Sequence, residues 1–210
     1  YSLYNRPAKD YLVASIEQTA PLLAKFSSVT APVMQSNLVQ KAIKATLGYV
    51  NTPTPSHPNL AKRTQQLRKF DLQYLNSLDA QQKRDYVLIV QDPFTSFYEA
   101  ELVESFVKVA QALGKQPILL PFKPNGKPQH VKGFLAKFAK TAKTSADFLN
   151  QVSELGIPMV GLDASLVLCY RDEYATILGD NRGDFEVLVA HEWLEDQPFK
   201  QTVFEPTPAY

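Results

Sequence analysis

The chain has 210 residues, a net charge of +1, 45% hydrophobic and 20% charged residues, which is an ordinary soluble composition with apolar material for one substantial core and a helical appendage. No run of eighteen or more apolar residues exists, so no transmembrane segment is expected, and a single cysteine excludes an internal disulfide or a zinc or iron–sulfur site built from several thiolates. The charge is uneven: residues 105–146 carry eight lysines and no acid, whereas residues 147–210 carry twelve acids against Arg171, Arg182 and Lys200. That asymmetry points to an anion-facing surface or to complementary faces packed on each other; it is too local and too poor in aromatics for nucleic acid.

Residues 1–80 read as helices broken by proline-rich joints. Tyr11, Ile16, Leu22, Leu23 and Phe26 recur near helical spacing, with Pro21 expected as a kink or a restart. Asn37 to Leu47 reads as a second helix ended by Gly48. TPTPSHPNL (52–60) is a semi-rigid connector, and Lys62 to Leu78 a further helix. From Arg84 the rhythm changes. YVLIVQ (86–91) is an apolar run of the kind buried on both faces of a parallel sheet. Ser96 and Glu99 then fit an S-x-x-E capping box before a helix carrying Leu102, Phe106, Ala110 and Leu113, stopped by Gly114. QPILLPF (116–122) is the second strand and KPNGKPQH (123–130) a loop. Phe134, Leu135, Phe138 and Ala142 mark a basic helix, and Thr144 with Asp147 a second helical start running to Gly156. PMVGLD (158–163) is the third strand, residues 165–178 a helix stopped by Gly179, FEVLVA (185–190) the fourth strand, and HEWLE begins a last helix.

This alternation predicts an α/β fold: a layered βαβ domain over 81–210 with a parallel sheet, behind a helical segment over 1–80 that includes the connector. It leaves flavodoxin-like and Rossmann-like strand orders both open. Ligands of such sheets gather at the carboxyl ends of the strands. DPFTS places Asp92, Thr95 and Ser96 there, at a helix N-terminus whose free N–H groups suit an anion; the plainer reading is that Asp92 and Ser96 cap that helix. In KPNGKPQH, Asn125, Lys127 and His130 could grip a carboxylate or phosphate, while Asn125-Gly126 equally makes a plain turn. Ser165 and Arg171 complete the candidate ligand contacts. None of the eight has an assigned catalytic role, and no metal site is expected. The three histidines lack ligand spacing, HEWLE is not H-E-x-x-H, and neither a G-x-S-x-G elbow nor a glycine-rich phosphate loop occurs. Arg171, Asp172 and Glu173 are helical neighbours that diverge, one of them expected to meet a distant partner; Cys169 reads as a small buried hydrophobe.

Four stretches, VLIVQDPFTSFYEAE, LLPFKPNGKPQHVKGFL, GIPMVGLDASLVLCYRDEY and FEVLVAHEWL, together resemble the C-terminal region of large bacterial FAD- and iron–sulfur-containing dehydrogenases that oxidise D-lactate or D-2-hydroxyglutarate. The resemblance implies a fragment of such an enzyme, a reading that agrees with a chain starting at Tyr1 rather than Met. It implies FAD and an iron–sulfur cluster in the parent and neither here, with the parent's flavin and iron–sulfur domains as partners. A cytoplasmic site is expected, either free or peripheral to the inner membrane. Related oxidoreductases end their third strand in a pattern like G-x-[DE]-P-S-C-x-x-x-x-R-D-E. Laid on this sequence, the family's cysteine falls on Leu166 and its proline on Ala164, while Arg171-Asp172-Glu173 matches. An apolar side chain thus fills the ligand position. The alternatives are a stand-alone module binding a small anion and, more weakly, a hydrolase built on the same strand ends.

Overall fold

The computed structural model describes residues 6–47 and 53–198. The first part is a train of four short helices, α1 (Ala8–Ala14), α2 (Ile16–Lys25), α3 (Ser27–Gln35) and α4 (Asn37–Leu47). Pro21 lies inside α2 and Pro32 inside α3, so neither is itself the break. The breaks fall at Ser15 and Phe26, ahead of the prolines rather than at them. Gly48, the expected stop of α4, lies outside the described residues.

The connector is tied down on both sides. The Ser56 amide donates to the Phe97 carbonyl (2.8 Å), its hydroxyl accepts from the Ala100 amide (2.9 Å), and the Asn59 side chain donates to the Ala24 carbonyl (3.0 Å). The single helix expected over 62–78 is instead two short pieces, α5 (Leu60–Arg63) and α6 (Leu72–Ser77), and a third, α7 (Ala80–Lys83), follows. The reason is local: Asn59, Asp71 and Asp79 each accept a backbone N–H three residues on, and such caps start new turns rather than prolong old ones.

The α/β domain holds a four-stranded, wholly parallel sheet. Its strands are β1 (Tyr86–Val90), β2 (Gln116–Leu119), β3 (Met159–Gly161) and β4 (Leu188–Val189), in the order β2-β1-β3-β4. This is the flavodoxin-like order, and it resolves the choice that the sequence pattern leaves open. β1 pairs with β2 from Tyr86↔Gln116 to Ile89↔Leu119 and with β3 from Leu88↔Met159 to Val90↔Gly161. Every residue of β1 is buried, because helices cover both faces.

Between β1 and β2 run α8 (Pro93–Phe97) and α9 (Ala100–Ala112); between β2 and β3, α10 (Lys127–Val131) and α11 (Leu135–Ser153). After β3 come α12 (Ala164–Leu168), a π-helical turn over Cys169–Glu173 and α13 (Tyr174–Leu178); α14 (Ala190–Glu195) follows β4. Tyr86, Leu88 and Val90 point into a core shared with Phe138, Leu149, Tyr170 and Tyr174. Val87 and Ile89 face the opposite core with Val103, Phe106, Val107 and Trp193. Full burial of each such large apolar side chain is worth about 1.5–3 kcal/mol, and β1 contributes to both cores.

Three local readings are corrected. Ser96 and Glu99 form no capping box: Ser96 sits inside α8, and the side chain that meets the first amide of α9 is Ser56. α11 is one helix of 19 residues rather than two. Thr144 bonds back to the Lys140 carbonyl and Asp147 pairs with Lys143, so both serve the helix interior, and no glycine or proline interrupts it. β4 keeps only two residues of the six expected, because Ala190 already opens α14. Among the described residues, no helix is long and apolar enough to cross a membrane.

Candidate functional site

In this strand order the chain leaves β1 toward β2 and later returns to β3 on the other side. The crevice where ligands of such folds bind therefore lies beyond the carboxyl ends of β1 and β3. At that edge each strand end exposes backbone N–H groups, and one of the chain's own carboxylates accepts from them in every case.

After β1, Asp92 accepts from the amides of Phe94 (2.8 Å) and Thr95 (2.9 Å) and from the Thr95 hydroxyl. Burial still raises its carboxyl above the usual range, the Thr95 hydroxyl and amides oppose this, and nearby Asp163 adds repulsion. After β3, Asp163 accepts from the amides of Ser165 (2.6 Å) and Leu166 (3.2 Å). After β4, Glu192 accepts from the Val189 amide (2.8 Å) and takes a two-pronged Arg171 guanidinium, one prong at 2.8 Å. Arg171 first and that amide second hold the Glu192 carboxyl down at about 2.

After β2 the carboxylate comes from far away in sequence. Glu17, on α2, accepts from the amides of Asn125 (2.7 Å) and Gly126 (3.0 and 3.1 Å to its two oxygens). Gly126 makes this possible: its φ is +80°, and a Cβ there would lie 2.8 Å from the Phe138 ring. Glu17 is 1% exposed, and burial pushes its carboxyl up to about 7 even though these amides favour the anion.

The eight candidate residues are thus placed as follows. Asp92 and Thr95 form one cap, and the Ser96 hydroxyl is buried beside them with no hydrogen-bond partner. Asn125 is buried; its side chain accepts from the Lys127 amide and its carbonyl from the Tyr174 hydroxyl, both at 2.7 Å. Lys127 is ion-paired with Glu173 from the π-helical turn, and His130 Nδ1 lies 3.8 Å from the same carboxylate, its ring against Phe138. Ser165 is exposed, with its amide bound to Asp163. Arg171 faces away from Glu173, toward Glu192 and the Val187 carbonyl. The structure therefore joins Asn125, Lys127 and His130 around Glu17 and Glu173, keeps Asp92, Thr95 and Ser96 together, and leaves Ser165 and Arg171 apart.

Leu166 and Cys169 both lie in the core, 2% and 0% exposed. Burial pushes the Cys169 thiol up to about 12, Glu173 adds to this and Lys127 works against it. A thiol so placed is expected to react with a disulfide reagent at least about 100-fold slower in the native chain than after unfolding. Timed absorbance of the released thiolate checks this, and prompt native labelling would contradict the burial. Among the described residues no group of three His, Cys, Asp or Glu could hold a metal ion. A flavin phosphate fits no better, since the donors that would take it already hold carboxylates and no glycine-rich loop is present. Glu17, Asp163, Glu173 and Glu192 are not among the eight candidates. Asp163 and Glu192 stand at strand ends and Glu173 belongs to the diverging Arg171-Asp172-Glu173 set, whereas the signal for Glu17 is only that it shares the helical face of Ala14, Ala20 and Ala24.

No family model matches the chain, and neither does any solved structure. Curated proteins do. The chain is 50% identical over 204 residues to D-2-hydroxyglutarate dehydrogenase of Escherichia coli (strain K12), covering 94% of this chain and 20% of that protein. It is 46% identical over 199 residues to the D-2-hydroxyglutarate dehydrogenase of Haemophilus influenzae, and 37% over 195 residues to that of Pseudomonas putida, in each case 19% of the relative's length. The chain thus spans about a fifth of the length of these relatives, each a D-2-hydroxyglutarate dehydrogenase and within the group that its four motifs resemble.

Proposed function

We propose that this chain is a non-catalytic architectural segment of a flavin- and iron–sulfur-dependent dehydrogenase that oxidises a D-2-hydroxy acid, D-2-hydroxyglutarate first among them. Hydride acceptance and single-electron transfer belong to the flavin and the cluster, both held by other parts of the polypeptide. The segment braces those parts and touches no substrate. One observation carries the reading: at each of the four strand ends a carboxylate of the chain itself, Asp92, Glu17, Asp163 or Glu192, accepts from backbone N–H groups that a ligand anion would otherwise use. The half identity to D-2-hydroxyglutarate dehydrogenases supports the choice of parent. The proposed setting is the cytoplasm.

The test is turnover by the complete gene product, supplied with FAD and an artificial electron acceptor. It should oxidise D-2-hydroxyglutarate and spare the L enantiomer, while the 210-residue chain alone stays inactive. Turnover by the isolated chain, or none by the complete product with any D-2-hydroxy acid, would remove the proposal.

A further inference from the structure

Helices α2 and α3 pack the wrong way round for a surface pair. Their buried face is built from small or polar residues, Glu17, Ala20, Ala24, Ser27 and Ala31, spaced three or four apart. Those side chains let the connector and the loop after β2 come close, as the Asn59 contact to the Ala24 carbonyl and the Glu17 contact to Asn125 show. The large apolar residues point outward: Leu22 is 62% exposed, Phe26 58%, Val29 63% and Val33 51%. Their spacing, 4-3-4, keeps them on one stripe through the break at Phe26. A helix buried along one stripe of small and polar residues and apolar along the opposite stripe is a helix meant to be covered on both sides.

The exposed charges of residues 6–47 have one sign. The only acids of residues 6–47 are Asp10 and Glu17, and both turn inward, Asp10 to Lys132 (3.1 Å) and Glu17 to the amides of Asn125 and Gly126. Lys9, Lys25, Lys41 and Lys44 are exposed. The complementary surface is therefore apolar at its centre and carboxylate-bearing at its rim. The relatives are about five times the length of this chain, so the covering surface can come from the same polypeptide.

We propose that the outer face of α2 and α3, centred on Leu22, Phe26, Val29 and Val33, is the seat of an acid-rimmed apolar surface from the remainder of the parent dehydrogenase. This rests on the functional reading above only for the existence of that parent. Cover by a second copy or by an anionic membrane are the rival outcomes.

Hydrogen exchange on the complete gene product and on the 210-residue chain decides the matter. Amides 22–33 should exchange at least about tenfold slower in the complete product. Val29→Glu in the complete product should abolish that difference, and Leu102→Glu, on an unrelated exposed site of α9, should leave it. Both side chains are exposed, so folding is not at stake, and circular dichroism verifies this. Equal exchange in the two proteins overturns the proposal. So does a dimer of the isolated chain that Val29→Glu dissociates, or Val29-dependent binding of the complete product to phosphatidylcholine–phosphatidylglycerol vesicles. Turnover of D-2-hydroxyglutarate, read on the same samples, separates the two claims. Slow exchange without turnover keeps the docking face and removes the functional reading; turnover with equal exchange does the reverse.

Discussion

Gly183→Ala is expected to destabilise the chain by about 3–4 kcal/mol, the sum of a forbidden backbone conformation and a displaced, half-buried amide that holds two chain segments. Gly183 has a φ of +72° and a ψ of −173°, a region that only glycine occupies at low cost. A Cβ there would lie 2.3–2.5 Å from the Asn150 carboxamide. That group cannot retreat, since it holds the approach to β4: it donates to the Arg182 carbonyl (2.8 Å) and accepts from the Phe185 amide (3.2 Å). Phe185 in turn packs edge-on against Tyr170 and Tyr174 in the core. Gly156→Ala is the control: its φ is +65° but a Cβ would meet nothing within 4 Å, so only about 1 kcal/mol should be lost. Urea midpoints of the two variants separate crowding from backbone strain. Equal losses would show that Asn150 is not the obstacle.

Glu17 should make stability fall as pH rises from about 4.5 to about 7. In that window the native carboxyl keeps its proton while the unfolded one has lost it, so each pH unit costs about 1.4 kcal/mol and the whole span on the order of 3 kcal/mol. The contribution is thus fully present below the unfolded value and gone above the native one. Glu17→Gln removes the titration but keeps an oxygen for the amides of Asn125 and Gly126. Subtracting the stability curve of the Glu17→Gln variant from the wild-type curve cancels the other groups that titrate, Asp92 and Glu192 among them. A flat difference across the window would mean that Glu17 is not desolvated, and that α2 does not clamp the loop after β2.

Much of this is legible in the residues. β1 declares itself as an unbroken apolar run, and Asp92 as a cap through its position before proline. Leu166 and Cys169 are core residues, as the displaced cysteine pattern and the apolar neighbours imply. Arg171 and Glu173 diverge to different partners because helical neighbours must. What stays hidden depends on distance in sequence. The residues of the Asn125 loop suggest a grip on a ligand anion or a plain turn, and what its amides hold in the structure is the chain's own Glu17, more than a hundred residues earlier. No local pattern encodes that pairing. The short helices over 60–83 are hidden for the opposite reason, since apolar periodicity outvotes three local caps that in fact decide the chain path.

At the sheet edge the strand-end donors are taken by internal carboxylates, and behind it lie a buried, protonated thiol and a leucine where a cluster would need sulfur. Absorbance and iron content of the purified 210-residue chain, after incubation with FAD and after anaerobic reconstitution with iron and sulfide, test this most directly. The chain should emerge from gel filtration colourless and without bound iron or flavin. Stoichiometric iron with a sulfur-to-iron charge-transfer band that Cys169→Ala abolishes, or co-eluting flavin, would contradict it.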